Sequence, residues 1–148
     1  MLQIAYFSTA STPQNAEVLH TILQVARSRN ARDGITGLLV AGGNRYMQVI
    51  EGLRLEMEAL WASIRADQRH CAVAQLLKRT VLERAFGDWS MAFSREERLG
   101  DYDSFPQTLK FLTRQVKDQA LRRQIELFAR SFIARPADHE ATVWGLAL

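Results

Sequence analysis

From Leu2 to Thr9 the side chains alternate, with Ile4, Tyr6 and Ser8 on one side and Ala5 and Phe7 on the other, the period of a strand. The period then lengthens. Ser11-Thr12-Pro13 reads as a helix start, and Val18, Leu19, Ile22, Leu23, Val25 and Ala26 recur at helical spacing until a stop near Asn30, ahead of Asp33-Gly34. Ile35 to Ala41 and Arg45 to Ile50 flank Gly42-Gly43-Asn44, a tight-turn composition that predicts an antiparallel hairpin. Leu53, Met57, Leu60, Trp61 and Ile64 predict a second amphipathic helix, followed by strands around Ala74 to Leu82 and Trp89 to Phe93.

The predicted order is β-α-β-β-α-β with an added strand. This is an α+β, ferredoxin-like arrangement: a five-stranded mixed sheet with both helices on one face. The second face needs a cover. Leu109, Leu112 and Val116, then Leu121, Ile125, Phe128 and Phe132, predict two helices joined near Lys117-Asp118, with Asp101 to Pro106 as the connection and Pro136 closing the second helix. The expected division is residues 1–95 as one domain and 96–148 as a helical extension. The tail with Val143, Trp144 and Leu146 is apolar enough to dock but too short to assign.

Composition changes this picture little. The 148 residues, 47% of them hydrophobic, suit one compact domain with an appendage. A single cysteine, Cys71, and no Cys/His pairs at zinc spacing predict a reducing cytoplasm and no metal site. No leader-like segment and no apolar run near the roughly 20 residues of a membrane span are visible. The charge is +3, but basic residues are scattered among nearly as many carboxylates without a stripe of exposed aromatics, so nucleic acid is not an expected partner.

One strand position stands out chemically. In "YMQVIEG" Gln48 shares its side with Tyr46 and Ile50, and its amide would cost about 2 kcal/mol or more to bury unpaired. Tyr6 on the first strand can satisfy part of it if both point under the helices. The amide still has a donor or acceptor to place, and Asn30 could bring a second amide to the same pocket. On residue types alone, a satisfied polar pair in the core is the better account of these positions, and spacing by itself reveals no cofactor.

Five segments together carry a resemblance: "IAYFSTAS" with Tyr6, "RNARDGITGLL" with Asn30, "YMQVIEG" with Gln48, "DQRH" at 67–70 and "FGDWSM" at 86–91. In this order and spacing, from Ile4 to Phe93, the chain resembles the BLUF family of blue-light receptors that use a flavin. The resemblance implies a flavin between the two helices, FAD with FMN or riboflavin as alternatives, with Ile22 and Ile64 against the ring faces. It implies Asn30 on the pyrimidine edge, Gln48 bridging Tyr6 to the ring, and Asp67, Arg69 and His70 on the ribityl and phosphate portion. Arg29, just before Asn30, departs from the family pattern, and contact with the O2 edge is the expectation adopted.

In that family Tyr6 would surrender an electron to the excited flavin and pass its proton through Gln48, which ends rotated or tautomerised and shifts the absorption to the red. Trp89 and Met91 on the last strand would be the signal-coupling positions. The implied protein is a non-enzymatic photosensor acting on an unidentified partner protein or on its own assembly, as a dimer or higher oligomer. A small flavin-dependent reductase and a chromophore-free ferredoxin-like binding module are the competing classes.

Overall fold

The computed structural model describes residues 1–12, 16–42, 44–87, 105–133 and 141–146. Among these residues nine elements follow in chain order: β1 (Leu2–Ala10), α1 (Ala16–Arg32), β2 (Thr36–Gly42), β3 (Arg45–Gly52), α2 (Arg54–Ala66), β4 (His70–Thr80), α3 (Phe105–Thr113), α4 (Gln119–Ile133) and β5 (Ala141–Leu146).

The strands form one sheet in the order β4-β1-β3-β2-β5. The first four reproduce the ferredoxin-like core, with β1 and β3 central, as expected of two β-α-β halves folded onto one face. Every pairing among the described strands is antiparallel. The strand expected at Trp89 to Phe93 lies outside the described residues, and the fifth strand comes from the tail left unassigned, with Leu39 of β2 in register with Trp144.

Strand alternation divides the hydrophobic residues between two cores. On one face Ile4, Tyr6, Leu39, Tyr46 and Ile50 pack with Leu23 of α1 and Met57, Leu60 and Trp61 of α2. On the other, Ala5, Leu38, Val40, Met47 and Val49 meet Leu109 and Leu112 of α3, Val116, and Leu121, Ile125 and Ala129 of α4. The helical extension therefore shares a continuous core with the sheet, and Phe7 stacks on Phe128 with ring centroids 5.0 Å apart. Burial of this kind is worth about 1.5–3 kcal/mol per large side chain, which fastens both covers firmly.

Two glycines of "DGITGLL" have identifiable causes. Gly34 takes φ +63° where the chain leaves α1, a left-handed conformation that a Cβ disfavours. There the Ile35 N–H donates to the Asn30 carbonyl at 2.9 Å, which fixes the end of the helix above the sheet. At Gly37 an added Cβ would lie 2.1 Å from the Val49 carbonyl oxygen, so no larger residue fits at that approach of β2 to β3.

Candidate functional site

β3 lies between β1 and β2, and its register sets Gln48 directly opposite Tyr6 on one side and Leu39 on the other. Paired residues in an antiparallel ladder share a face, so all three point under α1 and α2. The Tyr6 hydroxyl donates a short hydrogen bond to Gln48 Oε1. Tyr6 is only 2% exposed, and its phenol is pushed well above the ordinary tyrosine range, chiefly by burial and secondarily by the charge of Asp67. The Trp61 ring packs against it with centroids 5.2 Å apart and planes tilted 57°. The phenol is thus held neutral and aimed at a single acceptor.

Above this pair a cavity of about 260 Å³ opens between the two helices, near the lower end of the volumes small-molecule sites occupy. Its apolar walls include Leu23, Leu39, Leu60 and Ile64. Tyr6, Gln48 and Asn30 are its polar groups inside, and Arg29, Ser63, Asp67, Arg69 and His70 also line it. Asn30 is 3% exposed, and its Oδ1 is buried without a hydrogen-bond partner. An unmatched buried carbonyl costs about 1–3 kcal/mol, so the site is built to receive a donor.

The charged lining is organised by the turn from α2 to β4. Asp67 accepts from the Arg69 backbone N–H and from Arg69 Nε, each at 2.9 Å. The bonds from Arg69 hold its carboxyl well below the usual carboxylate range, at about 2. Ser11 ties this turn to the end of β1, its hydroxyl donating to the Gln68 carbonyl at 2.7 Å. His70 Nδ1 lies 3.1 Å from Ser8 Oγ, and the imidazole is lowered from its ordinary value, first by burial and then by the charge of Arg69, against the opposing pull of Asp67. Arg29 spans the two helices, Nη1 donating to Ser63 Oγ at 3.3 Å, with Nε 3.8 Å from Asp33.

Seven expected cofactor residues thus line one cavity: Arg29, Asn30, Gln48, Ile64, Asp67, Arg69 and His70. The side chain of Ile22 is not among those described, and Trp89 and Met91 lie outside the described residues. Arg69, expected as a phosphate partner, is paired with Asp67 and 63% exposed. The sequence reading missed Trp61, Leu39, Tyr46, Leu60 and Ser63 as parts of the site. Tyr46 and Leu39 carried a usable signal, since strand period places one beside Gln48 and the hairpin register places the other.

The model of a family described as sensors of blue-light using FAD, BLUF, matches residues 1–92. The chain belongs to the BLUF family. It is a blue-light flavin sensor domain.

Among curated proteins, photoactivated adenylate cyclase subunit beta of Euglena longa is 30% identical over 112 residues, 75% of this chain but 13% of that protein. Subunit alpha of Euglena gracilis is 32% identical over 99 residues, 66% of this chain and 10% of that protein. The chain spans only a small part of these relatives. Among solved structures, the BLUF protein BlrB in its dark state is 30% identical with a TM-score of 0.58, covering 78% of this chain and 93% of that one. BlrP1 of Klebsiella pneumoniae, in a calcium and cyclic-diGMP complex, is 26% identical with a TM-score of 0.66, covering 86% of this chain and 34% of that one.

Proposed function

We propose that Tyr6 and Gln48 are the light-responsive pair of this BLUF domain, that FAD is the flavin it takes, and that Asn30 holds the ring by its pyrimidine edge. The observation that carries this is the Tyr6 to Gln48 hydrogen bond at the floor of a slot whose other buried amide, Asn30 Oδ1, has no partner. The fit is chemical: a flavin edge offers an N–H between two carbonyls, and Asn30 Oδ1 lacks a donor. When bound, the flavin supplies absorption of blue light and, once excited, a strong oxidising power.

The remaining steps belong to side chains of this chain. Loss of an electron from Tyr6 makes its phenol acidic, and the route open to the proton is along the bond into the Gln48 amide. A carboxamide carries a donor and an acceptor on one planar group, so it has two bonding arrangements, with Oε1 or Nε2 towards Tyr6. Burial of Tyr6 keeps water from offering a competing route. Leu23, Leu60 and Ile64 form apolar walls; in this reading Asp67, Arg69 and His70 would hold the polar tail, Arg69 exchanging part of its Asp67 pairing for a phosphate. Arg29, bonded to Ser63, would close the slot beside the ring.

A change in one hydrogen bond is worth about 1 kcal/mol, enough to shift a two-state population about fivefold. In this reading Trp89 and Met91 pass that bias to the helices of residues 96–148, the output unit attached to a photosensory unit of residues 1–95. The product is a non-enzymatic, cytoplasmic signal, delivered to a partner protein or to the assembly state of the chain. The test is spectroscopic. The purified, flavin-loaded chain should show a small reversible red shift under blue light, with dark recovery. Bleaching by a nicotinamide without such a shift would assign the site to a reductase.

A further inference from the structure

The face of the sheet turned away from the flavin slot carries a buried polar chain that the photochemistry does not use. Glu51, fully buried, accepts from the Gln3 amide at 3.1 Å, from the Thr36 hydroxyl at 3.3 Å and from the Phe86 backbone N–H at 2.7 Å. Phe86 heads the "FGDWSM" segment. Gln3, 2% exposed, accepts through its Oε1 from Arg79 Nε at 3.0 Å and Nη2 at 2.8 Å. Arg79 Nη1 donates in turn to Asp118 Oδ2, and Asp118 Oδ1 accepts from the Leu121 N–H at 2.9 Å, the N-terminal cap of α4.

The chain is continuous and directional. It starts at a backbone amide beside the expected coupling segment, crosses β3, β1 and β4 by side chains alone, and ends at a backbone amide of the output helix. Gln3 links the Glu51 carboxyl to the Arg79 guanidinium and serves both with opposite ends of a single amide. A rigid group doing both cannot keep its bonds if either end moves.

We propose that Gln3 is a positioning residue that joins the segment entering Trp89 to the start of α4, so that displacement of the Phe86 amide is felt at the Leu121 amide. This rests on the reading of Trp89 and Met91 as the coupling positions. It adds a route to the helical extension through the far face of the sheet, separate from the Tyr6 to Gln48 pair. Arg84 braces the near end, donating to the Thr36 hydroxyl at 2.8 Å, the Glu51 carbonyl at 3.1 Å and the Gly34 carbonyl at 2.6 Å.

The experiment is residue-resolved amide hydrogen exchange on the flavin-loaded full chain, in darkness and under continuous blue light, for the unsubstituted protein, Gln3→Leu and Asp118→Asn. In the unsubstituted chain illumination changes exchange at both Phe86 and Leu121. In Gln3→Leu the change at Leu121 falls about tenfold while the change at Phe86 and the red shift persist. Asp118→Asn, which keeps a competent cap but weakens the bond from Arg79, gives the same split in milder form and stands in should Gln3→Leu not fold. An undiminished Leu121 response in Asp118→Asn and Gln3→Leu overturns the proposal, as does loss of the Phe86 and Leu121 responses together. A red shift in the unsubstituted chain with no change at Leu121 overturns it while leaving the photosensory reading intact. Absence of any red shift overturns that reading first.

Discussion

Tyr6 and Gln48 face each other across the two central strands, and the phenol donates to the amide oxygen under a roof made by two helices. The pair is prepared before any light arrives, because the ladder of β1 and β3 fixes both backbones and Trp61 leans on the tyrosine ring. Its removal is therefore a clean test. Tyr6→Phe and Gln48→Leu each retain flavin and lose the light-induced red shift. Gln48→Leu also leaves a buried hydroxyl unmatched, at a cost of about 1–3 kcal/mol read by denaturant titration. A normal photocycle in either variant would exclude the proposed relay.

Asn30 gives two effects of opposite sign. No protein group bonds its buried Oδ1, so without added flavin Asn30→Ala should leave stability unchanged or slightly raise it. The same substitution weakens flavin binding about tenfold, the worth of roughly one hydrogen bond. Flavin titration followed by fluorescence, paired with thermal unfolding of the flavin-free chain, measures both.

Gly37 tests the packing that holds β2 and β3 in register. A methyl at this position meets the Val49 carbonyl oxygen at 2.1 Å, and neither backbone can retreat without breaking the ladder. Gly37→Ala should destabilise the protein by about 2 kcal/mol or more, whereas a loop glycine in open space would change little. Comparison of urea midpoints decides it.

The charged lining predicts a dependence on pH. Asp67 is lowered from 3.8 to about 2 in the folded chain, first by its side-chain bond to Arg69. The unfolded chain then takes up the proton first, so this contribution is complete above 3.8 and disappears as the pH falls towards about 2. Asp118 is lowered as well and acts in the same acidic range, first through the Leu121 amide. His70 is lowered from 6.5 by burial, so stability also declines as the pH drops below 6.5. His70→Gln should remove the upper step and Asp67→Asn flatten the lower one, as seen in thermal unfolding across the pH range.

Much of this fold was legible because strand and helix periods differ and the cores are strongly patterned. The hairpin Thr36–Gly42 and Arg45–Gly52 and the join at Lys117-Asp118 all fall where alternation and turn composition place them. The errors have physical causes. β4 begins at His70, ahead of the expected Ala74, because an edge strand is largely exposed and shows no clean alternation. Ala72 at φ +50° and register shifts against β1 break its period further. β5 was missed because six uncharged residues become a strand only when an edge such as β2 is available. Within the site, Tyr6, Asn30 and Gln48 were readable as polar groups on buried elements. Trp61 was not, since an aromatic at helical spacing looks the same whether it fills a core or steadies a phenol.

β3 is the partition between two rooms. Met47 and Val49 belong to the helical core on one side, and Gln48 between them faces the slot on the other. An event at the amide is thus separated from the outer cover by the thickness of a single polypeptide strand. On the proposed relay, a message generated there has almost no distance to travel, and the design problem becomes insulation against accidental firing rather than reach.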